Sequence, residues 1–143
     1  MGNVYDIPHN FKEDLIMPYM KVTVAKKLTE EERVTLSKDL GEALGLIPGK
    51  HPSFLMADIE DGRNFYLGGV RQENFAFVDA RYYSKFEYHI KAKFTEAVFA
   101  ALKKTLKTED FQMSMTISEF STWAGFGDLV DEYYTDPDKM KKD

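Results

Sequence analysis

The chain contains no cysteine. That absence excludes a disulfide scaffold, a thiolate metal site, a redox pair and a cysteine nucleophile together. Histidine is scarce: His9, His51 and His89 are widely spaced, a pattern that predicts no histidine-based metal site. Gly68-Gly69 is too short for a phosphate loop, and the sequence carries no P-loop, dinucleotide fingerprint or serine-centred nucleophile motif. No metal or cofactor is therefore expected. No apolar run approaches the roughly 20 residues that span a bilayer, and the opening MGNVYDIPHN lacks the basic and apolar regions of a secretory signal. Basic residues are outnumbered, 19 against 24 acidic, for a formal charge of −5, which argues against a nucleic-acid-binding face. The expectation is a soluble, cytoplasmic protein without membrane or nucleic-acid partners, with leaderless export left open.

What is present fits one compact core. The 143 residues are 43% apolar and 14% aromatic, enough for a single well-packed domain. Charge divides the chain into three parts. Residues 1–17 carry Asp6, Glu13 and Asp14 against Lys12, while residues 131–143 hold five acids and three lysines. Each end is thus −2, leaving −1 for residues 18–130. The tail DEYYTDPDKMKKD has few core-forming residues and reads as draped on the surface. The first 17 residues form an extension whose Val4, Tyr5, Ile7, Phe11, Leu15 and Ile16 give it more apolar content than a solvated arm needs.

Two helices have legible starts. Thr29 followed by Glu30, Glu31 and Glu32 predicts a capping box, with acids at the positive end of the helix dipole. Leu36, Leu40, Ala43, Leu44 and Ile47 then recur at helical spacing, and Gly45 with Pro48-Gly49 supplies the stop. Ser84 and Glu87 predict a second capping box, ahead of the stripe Phe86, Ile90, Phe94, Ala97, Val98, Ala101 and Leu102. Strands are expected over 18–25, 54–59, 74–80 and 112–118, with a short piece at 65–67 after the Asp61-Gly62 turn. Met113, Met115 and Ile117 alternate with Ser114, Thr116 and Ser118.

The order is β-α-β twice. The first strand begins at 18 and its counterpart at 74, an offset of 56, and Thr29 and Ser84 differ by 55. This phase match predicts a duplicated α+β fold, one mixed sheet with both helices on one face. If the bare face is apolar, an oligomer buries it most cheaply.

Met17-Pro18 opens the first strand, Gly49-Lys50-His51-Pro52 the second, and Leu67-Gly68-Gly69 follows. With the Tyr83-Ser84 approach to the second helix and Trp123 beyond the last strand, the chain over residues 17–127 resembles the tautomerase superfamily. The nearest branch is that of macrophage migration inhibitory factor and D-dopachrome tautomerase. The resemblance implies a homotrimer of duplicated β-α-β subunits with active sites at subunit boundaries, with strand 112–118 near one. It implies a catalytic amino-terminal proline, whose neutral secondary amine shuttles a proton between carbon and oxygen of a small keto or enol carboxylate.

The residue matching that base is Pro18, and here the sequence departs from the pattern. Pro18 follows 17 residues, so its nitrogen is a tertiary amide with no basic lone pair. Lys50 matches the substrate-binding lysine, and is equally readable as a solvated loop residue. Arg81 falls where the dehalogenase and decarboxylase branches place an arginine, or else pairs with Asp79 or Glu87. Tyr83 aligns with a substrate-contacting backbone position, or is a helix-start staple. Tyr19, Trp123 and Phe126 match aromatics that wall an acid pocket. Met113 and Met115 stand where the branch carries a tyrosine and an asparagine facing the neighbour's pocket; the alternative is a methionine-lined core. Two functions follow as expectations: a tautomerase-like isomerase if Pro18 becomes amino-terminal, or a catalytically silent trimeric scaffold or binding protein if it does not.

Overall fold

The computed structural model describes residues 16–134 and 136–140. Strand β1 (Tyr19–Val24) leads into helix α1 (Glu30–Leu44) and strand β2 (Met56–Glu60). A hairpin follows, β3 (Phe65–Leu67) with β4 (Val70–Gln72), then β5 (Ala76–Tyr83), α2 (Tyr88–Leu106) and β6 (Met113–Phe120). A second hairpin, β7 (Thr122–Gly125) with β8 (Asp128–Asp131), follows β6.

The main sheet runs β2-β1-β5-β6. β1 pairs parallel with β2 and antiparallel with β5, and β5 pairs parallel with β6. Each β-α-β unit thus contributes one parallel pair, and the two units meet at β1 and β5. The expected duplicated α+β architecture is what the chain adopts.

Alternation assigns the two faces. Met20, Val22 and Val24 of β1 and Ala76, Val78, Ala80 and Tyr82 of β5 are buried together with Leu36, Leu40, Leu44, Phe94, Val98 and Leu102 of the helices. Both helices therefore cover one face, and each fully buried apolar side chain there contributes about 1.5–3 kcal/mol. The uncovered face is mixed in character. In register across it lie Lys21, Asp58, Asp79 and Thr116, followed one step on by Tyr19, Arg81 and Ser118. Lys21 bonds Glu60 at 2.9 Å and Asp58 at 3.3 Å. These ion pairs share the face with Met56, Phe77 and Phe120, all exposed, so it offers both apolar and polar surface to a neighbouring copy.

The Thr29–Glu32 capping box forms reciprocally. Gly45 does end α1, but in right-handed backbone (φ −60°), without the left-handed glycine conformation common at helix ends. Its value lies in size: a Cβ on Gly41 or Gly45 would lie 3.0 and 3.1 Å from atoms of Pro52. One bare turn of α1 thereby admits the short 3-10 turn Pro52–Phe54 that follows Lys50.

The second helix starts later than its sequence suggests. Glu87, not Ser84, is the N-cap, and it makes no side-chain cap bond. Ser84 instead adopts φ 85°, a left-handed conformation, while its N–H bonds the Phe120 carbonyl at 2.8 Å. Strand pairing with β6 outcompetes the capping box. β2, β5 and β6 run one, three and two residues beyond their expected ends, and β4, β7 and β8 were not anticipated.

Pro48-Gly49 makes a tight turn closed by Lys50 N–H to Ile47 O at 3.0 Å, with Gly49 at φ 79°. Gly49→Ala is expected to lose about 1–2 kcal/mol, the cost of a Cβ in left-handed backbone. Ser84→Gly is expected to gain up to about 1 kcal/mol by relieving the same strain. Urea unfolding of both variants checks the opposite signs.

Candidate active site

Pro18 stands one residue ahead of β1 and is buried. Its carbonyl accepts the Met56 N–H at 2.9 Å, which locks the head of β1 to the head of β2. On the other side Tyr19 pairs with Arg81, so Tyr82 and Tyr83 flank the Pro18 end of β1. Lys50 reaches the same end from the loop before β2. Its Nζ donates to the Tyr83 carbonyl at 2.9 Å. The rings of Phe86, Tyr83 and Tyr82 lie 5.8, 5.9 and 6.0 Å from that ammonium. Three aromatic rings thus lie within cation–π range of the ammonium. Lys50 and Tyr83 are joined directly, and Pro18 stands at the same end of the sheet.

The other candidate residues divide. Tyr19 and Arg81 are near in register but project from the uncovered face, whereas Pro18 and Tyr82 follow the helix-facing register. The Tyr19 hydroxyl donates to Asp58 at 2.6 Å, which raises its pKa above the usual tyrosine value. Arg81 bonds Asp79 at 2.8 Å and stacks 5.8 Å over the Tyr19 ring. The ion-pair alternative describes its position. Met115 packs on the core beneath the helices, in the middle of β6. Trp123 meets Phe120 edge to face at 5.9 Å, and Phe120 pairs with Tyr83, so Trp123 borders the site through one intervening ring. Phe126 occupies the tip of the β7–β8 hairpin with φ 53° and is exposed.

One residue of this region was not anticipated. Glu119, near the end of β6, accepts the Phe86 N–H at 2.8 Å, the Tyr82 hydroxyl at 2.9 Å and the Lys91 ammonium at 3.0 Å. Burial pushes its carboxyl up, but the Phe86 amide, Lys91 and the Tyr82 hydroxyl outweigh it and hold the pKa below the usual glutamate value. Burial, then the bond to Glu119, drives the Tyr82 hydroxyl far above the ordinary tyrosine range. The sequence did hold a signal: 119 continues the register of Met113, Met115 and Ile117, and a lone acid on an apolar register needs partners.

Among the described residues no group of three or more His, Asp or Glu is placed to hold a metal ion, and no helix is long and apolar enough to cross a membrane.

No family model and no curated protein sequence matches the chain. Solved structures do match. MIF2 of Leishmania major superposes with TM-score 0.72 at 18% identity, covering 80% of this chain and 97% of its own. Pt0534 inactivated by 2-oxo-3-pentynoate gives 0.70 at 9% identity, covering 80% and 97%. A Q0 fused 4-OT wild-type symmetric trimer gives 0.68 at 15%, covering 80% and 96%. The chain thus has the fold shared by macrophage migration inhibitory factors and the tautomerase superfamily, in agreement with the motif resemblance.

Because the folded pKa of Glu119 lies below its unfolded value, near 4.5, its contribution is complete above that pH. The contribution is lost as pH falls through the folded pKa. The stability difference between the wild type and Glu119→Gln is therefore expected to shrink as the pH is lowered from about 6 to below about 4. Paired urea titrations across that window check it, and a constant difference would contradict the charge assignment.

Proposed function

We propose that this chain is a tautomerase-like isomerase that moves a proton between carbon and oxygen of a small keto or enol carboxylate, once Pro18 becomes amino-terminal. The observation that carries this reading is the Lys50 ammonium, held on the Tyr83 carbonyl beside the head of β1. A cation so placed grips a substrate carboxylate and stabilises negative charge on the oxygen of an enolate. The base is the Pro18 nitrogen, freed from its acyl group. It removes a proton from the carbon beside the carbonyl, the C–H electron pair moves toward oxygen, and the proton returns at the other atom. Burial and the nearby Lys50 charge favour the neutral amine, which is the form that accepts the proton. The 2-oxo acid that inactivates Pt0534 is of the proposed substrate class.

The full chain supports a second reading. In the 143-residue chain Met17 acylates the Pro18 nitrogen, and Ile16, two residues before Pro18, is only 3% exposed. In that form the protein is a silent scaffold or binding protein. Domain limits of 1–17, 18–130 and 131–143 express the same division: an extension, the tautomerase-like unit and a charged tail.

Assembly as a homotrimer belongs to both readings. The two hairpins stand outside the main sheet and expose Tyr66, Leu67, Val70 and Leu129. Apolar residues on short exposed strands favour pairing with another copy. Leu67→Glu with Val70→Glu is expected to reduce a three-chain mass to a single chain in sedimentation, and an unchanged mass would remove the β3–β4 hairpin from the interface.

Protein beginning at Pro18 is expected to tautomerise phenylpyruvate about 10²–10⁴-fold faster than the 143-residue chain, the usual range for general-base catalysis. Pro18→Gly in the shortened protein should lose most of that gain. Equal rates from both forms, with mass confirming an intact extension, would reject the proline base. No activity in either would leave the scaffold reading in place.

A further inference from the structure

Glu119 has a geometry that the proton-transfer reading does not use. Its side chain is 15% exposed, and Lys91, its ion-pair partner, is 28% exposed. One carboxylate oxygen takes both the Phe86 N–H and the Tyr82 hydroxyl, and the other takes Lys91. It therefore joins β5, the 84–87 turn and α2 at a single point. Tyr82 and Phe86 are also the two rings that meet edge to face at 5.7 Å, and both face the Lys50 ammonium. Between them the chain passes through Tyr83, whose carbonyl holds Lys50, and Ser84 at φ 85°. A non-glycine residue stays in such backbone only where its surroundings over-determine it. Here the fixing bonds are Ser84 N–H to Phe120 O and Phe86 N–H to Glu119.

We propose that Glu119 is a positioning residue for Lys50: by holding Tyr82 and the Phe86 amide it sets the aromatic wall and the turn that aim the Tyr83 carbonyl at the ammonium. The proposal rests on the reading of Lys50 as a carboxylate clamp for its functional meaning, but its geometry stands on ligand-free protein. Removing the carboxylate leaves the buried Tyr82 hydroxyl and the Phe86 N–H without their acceptor. The turn then relaxes, and Lys50 loses both its carbonyl and its ring contacts.

The test is NMR of the full chain. The Lys50 ε-methylene protons, facing three rings, should resonate upfield of the other lysines. Glu119→Ala is expected to abolish that shift, and Glu119→Gln, which keeps an acceptor for Tyr82 and Phe86, is expected to preserve most of it. Leu36→Ala, a cavity in the fully buried core, serves as the control that loses stability and keeps the shift. If Glu119→Ala does not fold, Glu119→Asp, one methylene shorter, should lose at least half of the shift. A wild-type Lys50 shift in folded Glu119→Ala or Glu119→Asp would overturn the proposal, as would an equal loss in Leu36→Ala. Added phenylpyruvate separates the two claims. If it perturbs Lys50 in the wild type, Glu119→Ala should weaken that binding roughly tenfold, the effect of about one lost hydrogen-bond partner, and undiminished binding would overturn the proposal. If it perturbs nothing, the clamp reading fails, while the ligand-free spectra still decide the role of Glu119.

Discussion

The bond from the Met56 N–H to the Pro18 carbonyl, with the pairing of Tyr19 to Arg81 on the other side, fixes where β1 begins between its two neighbours. Once that point is set, the rest of the candidate site has little freedom. The loop before β2 must deliver Lys50 to the same end of the sheet, and the end of β5 must present Tyr83 there. Gly41 and Gly45 contribute from a distance by admitting Pro52 against α1. The type II geometry at Pro48-Gly49 then points the chain so that Lys50 reaches across to β5. The place of the candidate site follows from backbone pairing.

The chemical constraint at the same point is covalent. A proline nitrogen inside a chain is an amide, and its lone pair is committed to the carbonyl before it. The proposed proton-transfer base is therefore available only when that bond is absent. Ile16, two residues earlier, is itself buried. The two proposed readings, isomerase and scaffold, differ by the single bond between Met17 and Pro18.

How much of this was legible depended on how local each determinant is. Thr29 and Glu32 form a cap within one turn, and the sequence pattern and the structure coincide. Ser84 and Glu87 present the same pattern, but Ser84 has a competing partner 36 residues away, the Phe120 carbonyl, and the long-range bond prevails. The β7–β8 hairpin turns through Gly125-Phe126-Gly127-Asp128 with a phenylalanine at positive φ, a conformation that hairpin chemistry assigns to glycine or asparagine. The charged part of the uncovered face was not legible because its Lys21–Glu60 and Arg81–Asp79 pairs depend on strand order and register, which alternation alone does not give. Of the site, Pro18, Lys50 and Tyr83 were accessible through motif spacing. Arg81 and Met115 were accessible only as positions, and their directions, toward Asp79 and toward the helix layer, required the sheet.

The central claim is that the head of β1 is an environment tuned for a neutral proline amine. Its most direct measurement is the titration of the Pro18 nitrogen by ¹⁵N NMR in protein that begins at Pro18. Burial at this position and the Lys50 charge should bring its pKa clearly below the ordinary α-amino value of about 8. Replacing Lys50 with alanine should raise it again. A Pro18 amine that titrates at or above the ordinary value, and that ignores the loss of Lys50, would contradict the account.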